Sequence, residues 1–502
     1  MARNIFIKKS IVYSLILFLN SCDNNSSIWT NLKNNTNSKE KKEMIQFLEK
    51  NSKGTESIRP VFFKQNGDFC HLALDSIKNE NALKSKIKSE KLSTSIIIDS
   101  DITPDNIYNI SLYIDHVINV YHQNPWKMHI PKSVVYNDLL PYKIYQEDFS
   151  GWYPFYSEYF SFLNKKIPKK KLNRKEIDSI IWNNIKPHDS LKLFGGGLNS
   201  IRLTLWPGIK EIKTIKSGDC QSISILMVYL YRFLGIPATI DFTPYWGGIN
   251  SGHSLPVAWD SDLQKFTPIK GDIFEKKNRL AKAFRISFKL TDEWSKNIAP
   301  FLSNKLTFPI ESIKNDHWED VTDQHSPAND IIVNIPEYKG SIAYICVYNF
   351  GSWKPIFYGK KVKSQHYLFK KMGRNVIYRC AYMNENEKIS LSQNVIYLND
   401  LGKLEILNDT NNVIDNKFIG NLKISKINIG SEAWVKKQTS YTLSFLNNSG
   451  EWSPIKSSIS AKDSLLVFKN VSLKKVYLLK NNSSHKKPER PFMIKNSNVV
   501  WF

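Results

Sequence analysis

The sequence predicts an α+β protein: a central domain of helices and short strands, preceded by a helical region and followed by one or two β-sandwich domains. Before about residue 125, apolar residues recur at three- and four-residue spacings, which is typical of helices. Near the middle, one long apolar helix leads into short strands. After about residue 300, short alternating runs rich in Ile, Val, Tyr and Phe indicate a β tail.

The composition narrows the classes of protein that the chain can belong to. Hydrophobic residues make up 41% and aromatic residues 13%, so general disorder is excluded. The net charge of +24 would suit a nucleic-acid partner, but about ten arginines stand against sixty lysines. Arginine is the residue favoured for bidentate recognition of phosphate and guanine. We therefore expect no nucleic-acid partner and attribute the charge to a lysine-rich composition.

The N-terminus predicts an export signal, because a basic segment precedes a short apolar run at 11–19. That run is far shorter than the ~20 residues that span a bilayer. The tetrad that ends in Cys22 resembles a bacterial lipoprotein box. We expect a signal peptide at 1–21, a lipid on Cys22, an Asn- and Ser-rich tether at 22–38, and a location on the periplasmic or cell-surface side of a bacterial membrane. The alternative is an ordinary secretory signal that contains a cysteine.

The rest of the chain divides into four predicted segments by pattern. They are a helical N-terminal region at 39–125, a central domain at 126–299, and sandwich-like domains at 300–410 and 411–502. The four cysteines beyond Cys22 are too few for a disulfide framework. Cys346 and Cys380 lie in strand-like runs, where they could bridge or simply be buried.

One stretch of the central domain contains candidate catalytic residues. A helix is predicted for 221–234, directly after Asp219 and Cys220. Cys220 would lie in the first turn of this helix, where free amides and the helix dipole favour a thiolate. A nucleophilic cysteine also needs a base. His253 opens a strand that is predicted to pair with 264–269 as a hairpin. Either residue alone is more often structural, and only the joint arrangement favours a catalytic site.

These residues resemble a known family. The Gly-Asp-Cys motif at 218–220, the Tyr-Arg-Phe-Leu-Gly-Ile-Pro-Ala segment at 231–238 and the strand pair led by His253 are similar to the transglutaminase-like core of papain-type cysteine hydrolases. The supporting segments resemble, more narrowly, the transglutaminase-like lipoproteins of Bacteroidota: 140–142, Glu147, 205–207, 240–242 and 252–254. The resemblance implies a papain/transglutaminase-like core with Cys220 as nucleophile, His253 as base and an Asp on the following strand as the group that orients the imidazole.

The third role is where the chain departs from the family pattern. The family has Asp where this chain has Lys270, and Asp272 follows two positions later. Two hypotheses stay open. Either Asp272 orients the imidazole from a shifted strand end, or the site lacks its acid and is weakly active or inactive. A lysine beside the imidazole would disfavour the imidazolium.

The expected function is thiol-based hydrolysis, or acyl transfer, on a peptide or protein amide, with no cofactor and no metal. The alternative is an inactive cell-surface lipoprotein that binds glycan or peptide, so the possible partners are a peptide, a protein or an envelope glycan. His317 and His325 flank an acidic segment that is more typical of a solvated loop than of a metal site.

Overall fold

A computed structural model describes most of the chain from residue 22 onward. The residues it describes are 22–502 except 102, 168–169, 186–202, 205, 216–218, 270–272, 302–314, 385, 387, 409–418, 426–434, 461–464, 473–474, 483–489 and 496–497. They form a mixed helical and sheet protein with several sheets, one of them sandwich- or barrel-like. No helix among them is long and apolar enough to span a membrane.

The N-terminal region contains the predicted helices and also a small sheet. Its helices are α1 (Cys22–Asn34), α2 (Lys39–Asn51), α3 (Glu80–Ser89) and α4 (Pro104–Gln123). Its strands are β1 (Ser57–Phe63), β2 (Phe69–Cys70) and β3 (Ser93–Asp99), in the order β2-β1-β3. The purely helical prediction for 39–125 was therefore wrong at the strands. Most of β3 is exposed and β1 contains Pro60, so neither strand shows an alternating apolar pattern.

The predicted tether differs from the structure over α1. Trp29 and Leu32 are 3% and 6% exposed and belong to the large core that includes α2 and α4. Lys33 also forms an ion pair with Glu49 on α2, at 2.9 Å. The Asn- and Ser-rich composition conceals this helix because its apolar contacts come from few side chains, Ile28, Trp29 and Leu32 among the described residues.

The central domain packs one buried helix against a five-stranded sheet. Its helices are α5 (Lys132–Val134), which continues into a π-helical stretch at Val135–Leu139, α6 (Trp152–Phe160), α7 (Arg174–Ile185), α8 (Ile209–Ile215), α9 (Cys220–Phe233) and α10 (Glu293–Asn297). Its strands are β4 (Ala238–Thr243), β5 (His253–Asp260), β6 (Lys265–Pro268), β7 (Phe284–Ile286) and β8 (Trp318–Asp320), in the antiparallel order β6-β5-β4-β7-β8.

The predicted boundary at residue 299 lies too early, because β8 completes the central sheet. This strand has only three residues, which is too short for an alternating pattern to be recognised. The helix after Cys220 and the β5–β6 hairpin are confirmed. Gly235, with a φ of +78°, follows the end of α9 in the left-handed conformation that its place in the sequence predicts.

The rest of the chain is rich in strands, as the alternating pattern predicts, and is described below as a second and a third domain. The second domain has the short helix α11 (Thr322–His325) and a seven-stranded sheet ordered β15-β14-β13-β10-β11-β12-β9. Its strands are β9 (Ala328–Asn334), β10 (Ile342–Asn349), β11 (Ser352–Lys363), β12 (His366–Gly373), β13 (Val376–Met383), β14 (Ile389–Leu398) and β15 (Leu404–Ile406). Cys346 and Cys380 are free and buried within it.

The third domain is a small sandwich. Strands β16 (Ile419–Ile424) and β19 (Leu466–Ser472) pair, and they face the sheet β18-β17-β20-β21-β22 across one apolar core. The strands of that second sheet are β17 (Ser440–Leu446), β18 (Trp452–Ile459), β20 (Val476–Asn481), β21 (Pro491–Lys495) and β22 (Asn498–Trp501). The final apolar run of the chain is thus a paired strand, as predicted.

Candidate functional site

Helix α9 begins at Cys220, so the thiol lies in its first turn. Asp219 is the N-cap, and its Oδ1 accepts hydrogen bonds from the amides of Gln221 and Ser222, both at 3.1 Å. The cap fixes the first turn because it satisfies two amides that have no partner inside the helix. Cys220 itself is half-buried, which leaves part of its surface open to a reagent.

The start of α9 meets the start of β5. The amide of Ser254 donates to Sγ of Cys220 at 3.4 Å, and Ser254 directly follows His253. The contact therefore places a backbone donor against the sulfur of Cys220 and the backbone of His253 one residue away.

Aromatic side chains hold the imidazole of His253. Its ring is stacked on Trp246, with centroids 6.2 Å apart and planes inclined by 22°. Phe274 meets the same ring edge-on at 6.0 Å. Both aromatic residues are buried, so they limit the orientations of the ring and exclude water from two of its sides.

The predicted acid lies outside the described residues, together with Lys270. Strand β6 ends at Pro268, which pairs with Val257 on β5. The assignment of Asp272 as the orienting acid stays a prediction.

Arg232 anchors the far end of α9. It is 2% exposed, and its guanidinium donates to the carbonyls of Ala238, Pro141 and Lys143 at 2.9–3.0 Å. One side chain thus joins the helix to β4 and to the segment that carries Glu147. Removing the Arg232 side chain would take this donor away from three buried carbonyl groups. Arg232 is therefore a structural determinant of the helix position.

Glu147 holds the middle of α9. Its buried carboxylate accepts from the amides of Ile144 and Tyr145, at 2.5 and 2.8 Å, and from the hydroxyl of Tyr229 on α9. Burial, with the nearby Glu147 carboxylate as a second cause, raises the pKa of Tyr229 well above its ordinary value. Glu147 and Arg232 both occur in the segments that carry the family resemblance, and both act on the helix rather than on the thiol.

A second ionisable cluster lies on the face of β4 opposite α9, and the sequence did not single it out. Asp241 is fully buried, and its two oxygens accept from Nε and Nη2 of Arg285 at 2.8 Å. Nε2 of His325 lies 2.7 Å from the same carboxylate. Burial alone would raise the pKa of Asp241, but Arg285 and His325 outweigh it and lower that pKa.

His325 is therefore not part of a solvated loop. Its side chain is 11% exposed and its ring lies 4.7 Å from Phe274, the residue that also contacts His253. His317 is likewise buried, between the carbonyls of Ser287 and Lys53. Side chains alternate between the two faces of β4, which places Asp241 on the face away from α9. This alternation is the sequence signal that could have indicated the buried ionisable cluster.

Within the described part of the chain, no group of three or more His, Cys, Asp or Glu side chains is placed to hold a metal ion. The arrangement brings together a thiol at a helix start, a backbone amide donor and the start of the strand that begins with His253. When the chain is compared with protein-family models and with curated proteins, no family model and no curated protein matches it.

Proposed function

We propose that the protein is an exported lipoprotein whose central, transglutaminase-like domain carries out thiol-based hydrolysis, or acyl transfer, on a peptide or protein amide. The observation that carries the proposal is the contact between the Ser254 amide and Sγ of Cys220. It joins the first turn of a helix, which favours a thiolate, to the strand that begins with a histidine.

The chemistry follows from these groups. The thiolate of Cys220 attacks the amide carbon, and the tetrahedral intermediate expels the amine as the C–N bond breaks. The imidazolium of His253 supplies the proton that the departing amine takes up, which leaves a thioester on Cys220. The neutral imidazole then removes a proton from water, or from an acceptor amine, and this nucleophile breaks the thioester. Asp272 is proposed to orient the imidazole, and no cofactor enters the cycle.

Lipidation at Cys22 is part of the same proposal, and with it the protein would be anchored to the periplasmic or cell-surface side of a bacterial membrane. Its substrates would then be peptides or proteins of the cell envelope. The positive charge, which needs no nucleic acid, suits anionic envelope polymers. Water is the default acceptor in an open site, which favours hydrolysis over transfer.

Site-resolved alkylation tests the proposal. Iodoacetamide labelling is followed by mass spectrometry from pH 5 to 9 in the wild type and in His253→Ala. Cys70, which is half-exposed and free, provides an internal reference thiol in every sample. We expect Cys220 to react at least ~10-fold faster than Cys70 near pH 6, since a thiol with an adjacent base is a better nucleophile than a thiol without one. His253→Ala should remove most of this advantage.

The same experiment separates the enzyme from the inactive alternative. If Cys220 follows the pH profile of Cys70 in both proteins, the thiol is not activated and the chain is better described as a glycan- or peptide-binding scaffold. Asp272→Asn, measured beside them, tests the third role: a profile between wild type and His253→Ala is expected of an orienting acid.

A further inference from the structure

The turn that leads into His253 is held from outside its own domain. We define the His253 turn as residues 244–252, between β4 and β5. Within the central domain, the amides of Gly247 and Gly248 donate to the carbonyls of Arg279 and Asn278 at 2.8 and 2.9 Å. Four carbonyl groups of the turn also accept hydrogen bonds from side chains of the two β domains.

Asn349, at the end of β10 in the second domain, supplies most of these donors. The residue is fully buried, and its Nδ2 lies 3.0 Å from the carbonyl of Trp246, 2.8 Å from that of Ile249 and 3.3 Å from that of Ser251. The side-chain amide of Asn349 thus lies within hydrogen-bonding distance of three carbonyl groups of a single turn. The ring of His253 is stacked on Trp246, so the same side chain also fixes the platform of the imidazole.

Arg490, in the third domain, supplies another donor. It is fully buried and donates from Nη2 to the carbonyl of Gly247, from Nη1 to that of Tyr348 and from Nε to that of Phe502, the last at 2.8 Å. A guanidinium is the side chain best suited to this task because its fork of five donors can serve several carbonyls at once. All three parts of the molecule therefore meet at the turn.

The turn has little room to move. A Cβ atom at Gly247 would come within 2.6 Å of a methyl group of Val376, on β13 of the second domain. At Gly252, next to His253, a Cβ atom would lie 2.6 Å from the carbonyl oxygen of Pro244. A real Cβ atom essentially never lies this close to a non-bonded heavy atom. Glycine therefore fits at both positions without a shift of its neighbours, and the backbone is tightly confined.

We propose that Asn349 and Arg490 are positioning residues for His253, so that the second and third domains form part of the active site. The inference rests on the proposed function, because it assigns them to the geometry of the Cys220–His253 pair. The physical reason is distance: Ser251 lies two residues before His253, and a displacement of about 1 Å at a reacting group can cost roughly 100-fold in rate.

The test compares two buried asparagines that make the same kind of contact at different places. Asn349→Ala removes the donors to the His253 turn. Asn408→Ala removes an Nδ2 that lies 2.9–3.4 Å from the carbonyls of Gln393, Asn447 and Asn448, between the second and third domains but away from the turn. The readout is the pH profile of Cys220 alkylation relative to Cys70, which a purely structural role would not move.

We expect Asn349→Ala to slow the alkylation of Cys220 near pH 6 by about 10-fold and to shift its profile towards that of His253→Ala. Asn408→Ala should keep the wild-type profile. The inference is overturned if Asn349→Ala keeps the wild-type profile, or if both variants shift it equally. The comparison of wild type with His253→Ala is read first, so a failure of the proposed function is recognised separately.

A milder variant covers the case in which Asn349→Ala does not fold, as judged by near-ultraviolet circular dichroism. Oδ1 of Asn250, in the His253 turn, accepts from the amide of Phe350 at 3.0 Å near the surface. Asn250→Ala removes only this contact. A decrease of about 2- to 3-fold in Cys220 alkylation near pH 6 supports the inference, and an unchanged profile contradicts it.

Discussion

The fold changes the protonation of Asp138 near neutral pH. It lies in the π-helical stretch beside α5, is 3% exposed, and its only hydrogen bond among the described residues comes from Asn137 at 3.3 Å. Burial raises the pKa of Asp138 to about 7, although the charges of Arg232 and Arg285 act in the opposite direction. The native protein therefore holds a proton that the unfolded chain has lost.

This difference predicts a pH-dependent gain for Asp138→Asn. The unfolded carboxyl ionises near its ordinary pKa of 3.8 and the folded one near 7, so the free energy of unfolding falls as pH rises between these values. Asparagine cannot ionise, so from pH 5 to pH 8 the variant should gain up to roughly 3 kcal/mol relative to wild type. Urea unfolding at both pH values measures this gain.

The control for Asp138 is Asp262→Asn, which changes an exposed carboxylate that pairs with Lys171 at 3.2 Å. Its free energy of unfolding should stay within about 0.5 kcal/mol of wild type at both pH values. Equal pH dependence in wild type and Asp138→Asn would contradict the assignment of a buried, protonated carboxyl.

At the scale of elements, α9 matters because its two ends are fixed by different means. Asp219 caps the start with two hydrogen bonds, and Arg232 ties the end to three carbonyls. The local sequence predicts the cap, since Asp before an apolar helical run is a common start signal. It does not predict the partners of Arg232, because two of its acceptors lie about 90 residues earlier in the chain.

The cap gives a prediction that separates helix stability from thiol reactivity. Asp219→Ala should lower the free energy of unfolding by about 1 kcal/mol, whereas Asp219→Asn should cost little because Asn caps equally well. Asn79→Ala, which removes the similar cap of α3, is the matched control for stability. Urea unfolding gives the free energies, and alkylation gives the reactivity of Cys220.

Only Asp219→Ala should change the alkylation of Cys220, because only this cap fixes the turn that carries the thiol. If Asn79→Ala changed it equally, the effect would come from general destabilisation, and the cap would have no specific role at the site.

At the scale of the whole molecule, the second and third domains are joined by a shared apolar core and by buried polar side chains, one of which is Arg379. Tyr348, Ile377 and Val395 of the second domain pack with Leu446 and Val476 of the third. Arg379, 2% exposed, donates to the carbonyls of Ser392 and Gly450, both at 2.7 Å, and lies 3.1 Å from Glu451. An interface of this kind makes two domains unfold together.

We therefore expect a single calorimetric transition for the second and third domains of the wild type. Arg379→Met, which strands buried carbonyls, should lower its midpoint by about 5–10 °C. Arg374→Met should have a smaller effect, because the side-chain hydrogen bonds of Arg374 to described residues go to Asn329 and Asp400 within its own domain. Two separate transitions in the wild type would contradict the coupling.

The sequence predicts what local pattern controls and misses what distant parts of the chain supply. The helix after Cys220, the β5–β6 hairpin and the final strand follow from periodicity and turn residues. Asn349 lies in a Tyr-Asn-Phe-Gly segment whose sequence is typical of an ordinary turn. Its proposed role depends on carbonyl groups that lie about 100 residues away in the sequence. Arg490 acts across more than 240 residues. No spacing rule spans such separations, so the candidate nucleophile and base were predictable and their supports were not.

The docking of α1 has a consequence for where the protein can work. A free tether of 17 residues would let the body range over roughly 20–25 Å. In the structure, helix begins at Cys22, and the buried Trp29 lies seven residues later, which corresponds to about 10 Å of helix. With an acyl chain on Cys22, the body would rest close above the lipid headgroups at a nearly constant height. Any molecule that the site contacts would then lie in a thin layer next to the bilayer.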